Sequence, residues 1–310
     1  MNLKQLLPTQ DWKSERANYI GGSQVSTVLG LNPYETPLQL WLRKRGALPP
    51  VEESDIMRFG NFFEPILALQ FEQTTGLRTR QVSKTYIHDQ HDFLRANIDR
   101  QILADPDNGL ESTAVLELKT TTSHRLKALD GEYPISWMLQ VQHYLGITGY
   151  SKAWLQCYER DTCSFHDPVL IQRDDDLIAE NMGALINWWK RHMIEGVQPE
   201  PINGEDSLIL YPNHCDDKVV EASPSIYSQY NELKKVRERK AELEEVEEDL
   251  KTTLKGELGE AERLVYAGNT LLTWKTSVQN RLDTTAIKKT QPKLYNSFTK
   301  QIKTRRFTVH

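Results

Sequence analysis

The stretch AVLELKT, residues 114–120, carries a carboxylate and an ammonium inside a run of aliphatic residues. Read as a β-strand, it alternates its side chains, so that Val115, Glu117 and Lys119 share one face and Leu116 and Leu118 the other. The leucines then anchor the strand in a core while an acid and a base project together. Glu117 is suited to hold a divalent cation, and Lys119 to sit beside a water bound to it. The same spacing also describes a solvent-facing ion pair on an amphipathic strand, and so short a pattern is common by chance. The neighbouring acids have to decide between the two readings.

Two acids lie upstream. Asp99 closes the apolar run DFLRANI, which reads as a strand paired with residues 114–120 and so brings its carboxylate near Glu117. Asp107 lies in DPDNG, a turn composition suited to the tip joining two strands. Asp99 is therefore the expected ligand. Magnesium takes hard oxygen ligands and keeps several waters, so Asp99, Glu117 and the Leu118 carbonyl make a sufficient set. A third acid, Glu64, immediately precedes Pro65 in MRFGNFFEPILALQFE. Proline suits the first position of a helix, which would put Glu64 at the positive helix end, either as a plain cap or as a further acid of the site.

Further out, the helix expected over PISWMLQVQHYLGI brings Trp137, Gln140 and Tyr144 to one face. Glutamines on an apolar helix need partners, so Gln140 and Gln142 either satisfy backbone groups or hold a water or a phosphate. Near the start, a Gly-Gly turn precedes a helix expected over Ser23 to Leu29 with Ser23 as its N-cap. Such a helix start favours an anion, and Arg16 is close enough in sequence to reach it; a helix cap beside a surface arginine is the plainer alternative. Helices are also expected over Pro37 to Lys44, Pro65 to Thr75 and Leu177 to Glu195. Strands are expected in VSKTYIH, DFLRANI, AVLELKT, KAWLQCYE and CSFHDPVLI. The order αβββαβ reads as α/β, a mixed sheet flanked by helices.

The 310 residues carry 38 Lys+Arg against 43 Asp+Glu, a formal net charge of −5 that leaves nucleic acid open as a partner, because phosphate contacts depend on where the positive groups sit. No apolar run reaches the roughly 18–20 residues of a membrane span, and the opening MNLKQLLPTQDWKSE is too polar for a signal peptide, so a cytoplasmic protein is expected. Cys157, Cys163 and Cys215 form no C-x2-C pair and suggest neither a disulfide framework nor a zinc site. Composition divides the chain into a domain over 1–200, a turn-rich linker over 201–224, and a segment over 225–310 of helical arm, hairpin and basic tail. In the arm, Ile226, Leu233, Val236, Leu243, Val246, Leu250, Leu254 and Leu258 recur at helical spacing, a seam that packs on its own protein or pairs with another chain. The tail's Lys288, Lys289, Lys293, Lys300, Lys303, Arg305 and Arg306 either follow phosphates or clasp the acidic stretch Glu242 to Asp249.

The ordered set IGGSQVSTVLGLNPYETPLQLW (20–41), FGNFFEPILALQFEQTTG (59–76), ANID (96–99), LELKT (116–120) and WMLQVQHYLGITGY (137–150) resembles the YqaJ-type viral recombinase family, relatives of lambda exonuclease within the PD-(D/E)xK nuclease superfamily. The resemblance covers roughly residues 12–200 and implies a restriction-endonuclease-like core. It makes Asp99, Glu117 and Glu64 the acids of the metal site, Lys119 the catalytic lysine, Gln140 the glutamine of the Q-x-Q motif, and Arg16 with Ser23 the pair that holds a DNA 5′-phosphate. Arg100 and Ile98 stand where the relatives often have Gly and Pro. The implied activity is a metal-dependent exonuclease that degrades one strand of duplex DNA from its 5′ end in phage recombination. Two Mg2+ ions are implied, with Mn2+ able to substitute, along with a single-strand annealing partner and a homo-oligomeric ring such as a trimer. It also implies a phage or prophage gene in a bacterial host. Two other readings keep the residues but change the role. One is a restriction-like or CRISPR-adaptation-type endonuclease, although three scattered cysteines cannot carry the iron–sulfur cluster common in the latter. The other is a non-enzymatic DNA-binding or assembly protein.

Overall fold

The computed structural model describes residues 16–127, 133–302 and 304–310; the opening segment MNLKQLLPTQDWKSE and Lys303 of the tail lie outside the described residues. The chain forms two units, one through Ser207 and one from Leu208. In the first, a 3-10 turn Gly22–Gln24 leads into a single helical turn, α1 (Val25–Val28), followed by α2 (Pro37–Lys44) and the long α3 (Asp55–Thr75). Four short strands come next, β1 (Thr79–Gln81), β2 (Tyr86–Ile87), β3 (Arg95–Ala96) and β4 (Arg100–Ile102). Then come β5 (Ala114–Thr121), α4 (Ser123–Lys127), α5 (Ile135–Thr148), β6 (Lys152–Glu159), β7 (Ser164–Phe165), β8 (Val169–Gln172) and α6 (Asp175–Trp188), which runs on as a π-helical turn to Ile194.

The sheet order is β1-β4-β5-β6-β7, with β8 also on β6. β4 and β5 are antiparallel while β5 and β6 are parallel, joined by the crossover that contains α5, so the sheet is mixed and the expected fold class is the one observed. Strand alternation in β5 governs the layers. Leu116 and Leu118 pack with Leu67, Ala68 and Phe71 of α3 and with Leu77, Ile102 and Leu110. The opposite face of β5 meets α5, whose Gln140 bonds both Glu117 and Lys119. Burying the leucine face removes apolar surface worth about 25 cal/mol per Å2, which fixes the register, since a slip by one residue would turn Glu117 and Lys119 into that core.

Several local expectations are corrected. Pro65 does not open a helix: α3 begins ten residues earlier, where the Ser54 hydroxyl accepts the Met57 N–H. The helix continues through the proline, and the residues after it, Leu67, Ala68 and Phe71, are packed in the core against β5. The run DFLRANI does not pair with β5. Its Arg95–Ala96 pairs with β2 in a separate ribbon, and the partner of β5 is β4, which starts just after Asp99. Ser23 is not an N-cap but lies inside the 3-10 turn, which Gly21 caps. The stretch 201–224 contains α7 (Gly204–Leu210). Its buried Asp206 accepts a hydrogen bond from Thr36 Oγ1 at 2.8 Å, so its first residues belong to the first unit.

The second unit holds α8 (Pro224–Leu258), the hairpin β9 (Arg263–Tyr266) with β10 (Asn269–Thr273), and two short helices, α9 (Thr284–Thr290) and α10 (Pro292–Ser297), inside the basic tail. Within the second unit, the seam of α8 is not covered over its central turns: Val236, Leu243, Val246 and Leu250 are each more than half exposed. The tail meets the arm at Tyr230, whose hydroxyl donates to the His310 carbonyl, and not through the acidic stretch. Among the described residues, the acidic stretch makes ion pairs only with Arg239, Lys240 and Lys251 of its own helix. All three cysteines are free, Cys157 buried and the other two exposed, and no helix among the described residues is long and apolar enough to cross a membrane.

Candidate metal centre

The antiparallel register pairs Arg100 with Leu116, so one step beyond the end of β4 lies Asp99 opposite Glu117. Asp99 is fixed there because its Oδ2 accepts the Leu118 N–H at 2.9 Å. Glu117 is 1% exposed. Its Oε1 lies 2.5 Å from Lys119 Nζ and accepts the Gln140 amide at 2.7 Å, while Gln140 Oε1 accepts Lys119 Nζ at 3.0 Å. Glu117, Lys119 and Gln140 thus close a ring of three hydrogen-bonded contacts that holds each side chain in one rotamer. The same Gln140 amide group donates to Tyr144 Oη at 2.8 Å.

One atom of this ring is left over. Glu117 Oε2 is buried and has no hydrogen-bond partner, a costly state for a carboxylate oxygen unless a cation takes it. Proton affinities report the same demand. Burial, followed by the charge of Asp99, pushes Glu117 up to about 8 against the pull of Lys119. Burial also raises Asp99, outweighing Lys119 and the Leu118 N–H. Glu64 is raised to about 7 by burial and then by Asp99, with Arg100 opposing. For Lys119, burial disfavours the charge, yet the carboxylates of Glu117 and Asp99 hold it above its ordinary value. Three acids that resist ionising together form a site short of positive charge. Among the described residues, no three or more His, Cys, Asp or Glu side chains are grouped so as to hold a metal ion by themselves.

Glu64 reaches this region from α3, and Arg100 Nε, buried without a hydrogen-bond partner, lies 3.9 Å from Glu64 Oε1. Asp107 is elsewhere, in the exposed turn Pro106–Asn108. Arg16 Nη2 donates to Ser23 Oγ at 2.6 Å, so the two residues expected to act together are in contact. Their turn is held from two sides that the sequence reading passed over. Lys44 donates to the Arg16 carbonyl at 3.0 Å and to the Tyr19 carbonyl; burial, then the Arg16 charge, lowers it to about 7. On the other side Gly22 lies against α5: a Cβ there would stand 2.4 Å from Tyr144 Cε1 and 3.0 Å from Gln140 Cγ. The only advance signal was the Gly-Gly pair itself. Gly22→Ala is therefore expected to displace Tyr144 and Gln140 and to destabilise the fold by about 1–3 kcal/mol, an overpacking cost measurable by denaturant titration. An unchanged midpoint would show that the turn can move aside.

Residues 11–151 match a family described as the YqaJ-like viral recombinase domain. Over 96% of its length, the chain is 32% identical to the uncharacterised protein YqaJ of Bacillus subtilis strain 168, covering 93% of that protein. The chain belongs to the YqaJ-like viral recombinase family. A more distant relative, the uncharacterised protein R354 of Acanthamoeba polyphaga mimivirus, is 25% identical over 66% of this chain and 39% of its own length. Among solved structures, the alkaline exonuclease of Laribacter hongkongensis shares 19% identity at a TM-score of 0.49, with 60% of this chain and 94% of that one covered. A phage-related exonuclease of Haemophilus somnus shares 14% at a TM-score of 0.41, with 58% and 96% covered. In this YqaJ-like chain, the carboxylate cluster and the turn packed on it both lie within the matched residues 11–151.

Proposed function

We propose that this YqaJ-like chain is a metal-dependent deoxyribonuclease that resects duplex DNA from 5′ ends and leaves 3′ single strands for an annealing partner. The observation that carries the reading is the buried, unpartnered Glu117 Oε2 beside Asp99, with Lys119 held on the same face. Asp99, Glu117 and the Leu118 carbonyl would hold the ion, with Glu64 serving a second. Bound Mg2+, or Mn2+ in its place, supplies the Lewis acidity that polarises the scissile phosphate and activates water.

The chain's own groups do the rest. Lys119 keeps its proton, so it orients the attacking water and offsets charge that develops on the phosphate. Gln140 fixes the Lys119 ammonium and the Glu117 carboxylate relative to each other. Arg16 and Ser23 would take the terminal 5′-phosphate, and Gly22, between them and Gln140 in the packing, sets the spacing from phosphate to metal. The family relationship supports a homo-oligomeric ring around duplex and a phage or prophage setting in a bacterial cytoplasm.

With Mg2+, a 5′-labelled linear duplex should release labelled mononucleotides while a closed circle stays intact. A cut circle would instead make the chain an endonuclease, and no product from either would leave a binding protein. If Arg16 and Ser23 hold the terminal phosphate, a 5′-phosphorylated duplex should be degraded about tenfold or more faster than a 5′-hydroxyl one, since a charge-assisted contact is worth roughly 1.5–3 kcal/mol. Arg16→Ala should then erase the difference, and equal wild-type rates on the two ends would remove this assignment. The basic tail is proposed to follow the DNA backbone. A chain ending after Leu282 should bind duplex more weakly and with a flatter salt dependence, and an unchanged slope in a salt titration would exclude the tail from the contact.

A further inference from the structure

The central turns of α8 combine an exposed apolar seam with an abrupt change of charge. Residues 234–240 hold Lys234, Lys235, Arg237, Arg239 and Lys240 against the single acid Glu238. Residues 242–249 hold Glu242, Glu244, Glu245, Glu247, Glu248 and Asp249 and no base. The seam places Leu233, Lys240, Glu247 and Leu254 at one heptad position and Val236, Leu243 and Leu250 at the other. Leu243 and Leu250 are 54% and 60% exposed, so the line is uncovered over its central turns, while Leu233 toward its start is half-buried.

We propose that this face pairs with the same face of a second copy of the chain, antiparallel, with the crossing point between Ala241 and Glu242. Only a few registers put one heptad position of an antiparallel pair against the other. In the one centred there, Leu233 meets Leu250 of the second copy, Val236 meets Glu247 and Lys240 meets Leu243. That register also lays residues 234–240 along residues 249–243 of the second copy, basic segment against acidic segment, twice by symmetry. Moving the centre by half a heptad lays the basic segment on itself or carries it past the acidic one. A parallel pair would stack Lys240 on Lys240 and Glu247 on Glu247 and set the two basic segments side by side. In the antiparallel arrangement the Lys240 stem instead covers Leu243 of the second copy, and its ammonium extends toward the acids that flank it. The facing flanks bring Arg237 against Glu244 of the second copy.

The orientation is tested by charge exchange in the full chain. In the antiparallel pair Arg237→Glu and Glu244→Arg each convert two attractive contacts into repulsive ones and should weaken pairing about tenfold, while the double exchange restores it to near the wild-type value. In a parallel pair the flanking partners would be Glu232 with Arg237 and Arg239 with Glu244, so the double exchange would be worse than either single. These residues are exposed, lie outside the carboxylate cluster, and are replaced by good helix formers, so the result stands whether or not the chain cleaves DNA. Sedimentation velocity over a concentration series reads the mass. The wild type should have a higher mass than Leu243→Asp/Leu250→Asp, twice it where the other surfaces hold the chain as a monomer. Equal masses, single exchanges that behave as wild type, or a double exchange weaker than both singles would each overturn the proposal.

Discussion

Glu117→Ala and Lys119→Ala are each expected to lower Mg2+-dependent cleavage of linear duplex by about a hundredfold or more, the scale on which one preorganised group that meets developing charge contributes. Both variants should fold, because Leu116 and Leu118 on the opposite face of β5 keep their contacts with α3. The two losses differ in kind. Glu117→Ala removes the carboxylate with the unpartnered oxygen and should abolish tight Mg2+ binding in calorimetry. Lys119→Ala removes no ligand and should leave binding in place while the chemical step fails. It also leaves Glu117 and Asp99 buried without their shared ammonium, so the metal-free Lys119→Ala protein should melt below the metal-free Glu117→Ala protein. Normal cutting by either variant would remove the site from β5.

Asp99→Asn is expected to abolish metal-dependent cleavage, and Asp107→Asn to leave it unchanged. The asparagine oxygen can still accept the Leu118 N–H, so the turn before β4 keeps its geometry while the charge that a hard cation needs is gone. Asp107 sits in an exposed 3-10 turn and makes no contact with the cluster. Parallel assays on labelled duplex, with circular dichroism as a folding control, decide the matter; the reverse pattern would move the metal to the loop.

How much of this was legible in advance depends on the range over which each signal acts. The alternation in AVLELKT is set by strand geometry alone, so the two faces of β5 and the shared direction of Glu117 and Lys119 follow from the residue order. The amphipathic period of 225–258 likewise gives α8 to within one residue of its start. Where a local signal competed with a distant one, the distant one won. Pro65 is a helix-start residue by its own chemistry, yet α3 runs through it, with Leu67, Ala68 and Phe71 just beyond packed on Leu116 and Leu118 of β5. The break inside DFLRANIDRQI falls at Asn97–Asp99, two turn-favouring residues around Ile98, but which sheet each half joins, β3 to one ribbon and β4 to the main sheet, is decided by the neighbours each can pair with.

By itself, the sequence determined which groups this protein has for chemistry and along which faces they point, because side-chain type and backbone periodicity are properties of the chain at short range. Tertiary structure alone decided their protonation and their partners. Burial of Glu117 and Glu64 beside Asp99, the ring closed by Gln140 from a helix on another layer, and the contact of Gly22 with Tyr144 all depend on segments that folding brings together. The physical reason is that desolvation and hydrogen-bond geometry are fixed by what surrounds a group in space, and a linear order of residues does not contain that surrounding.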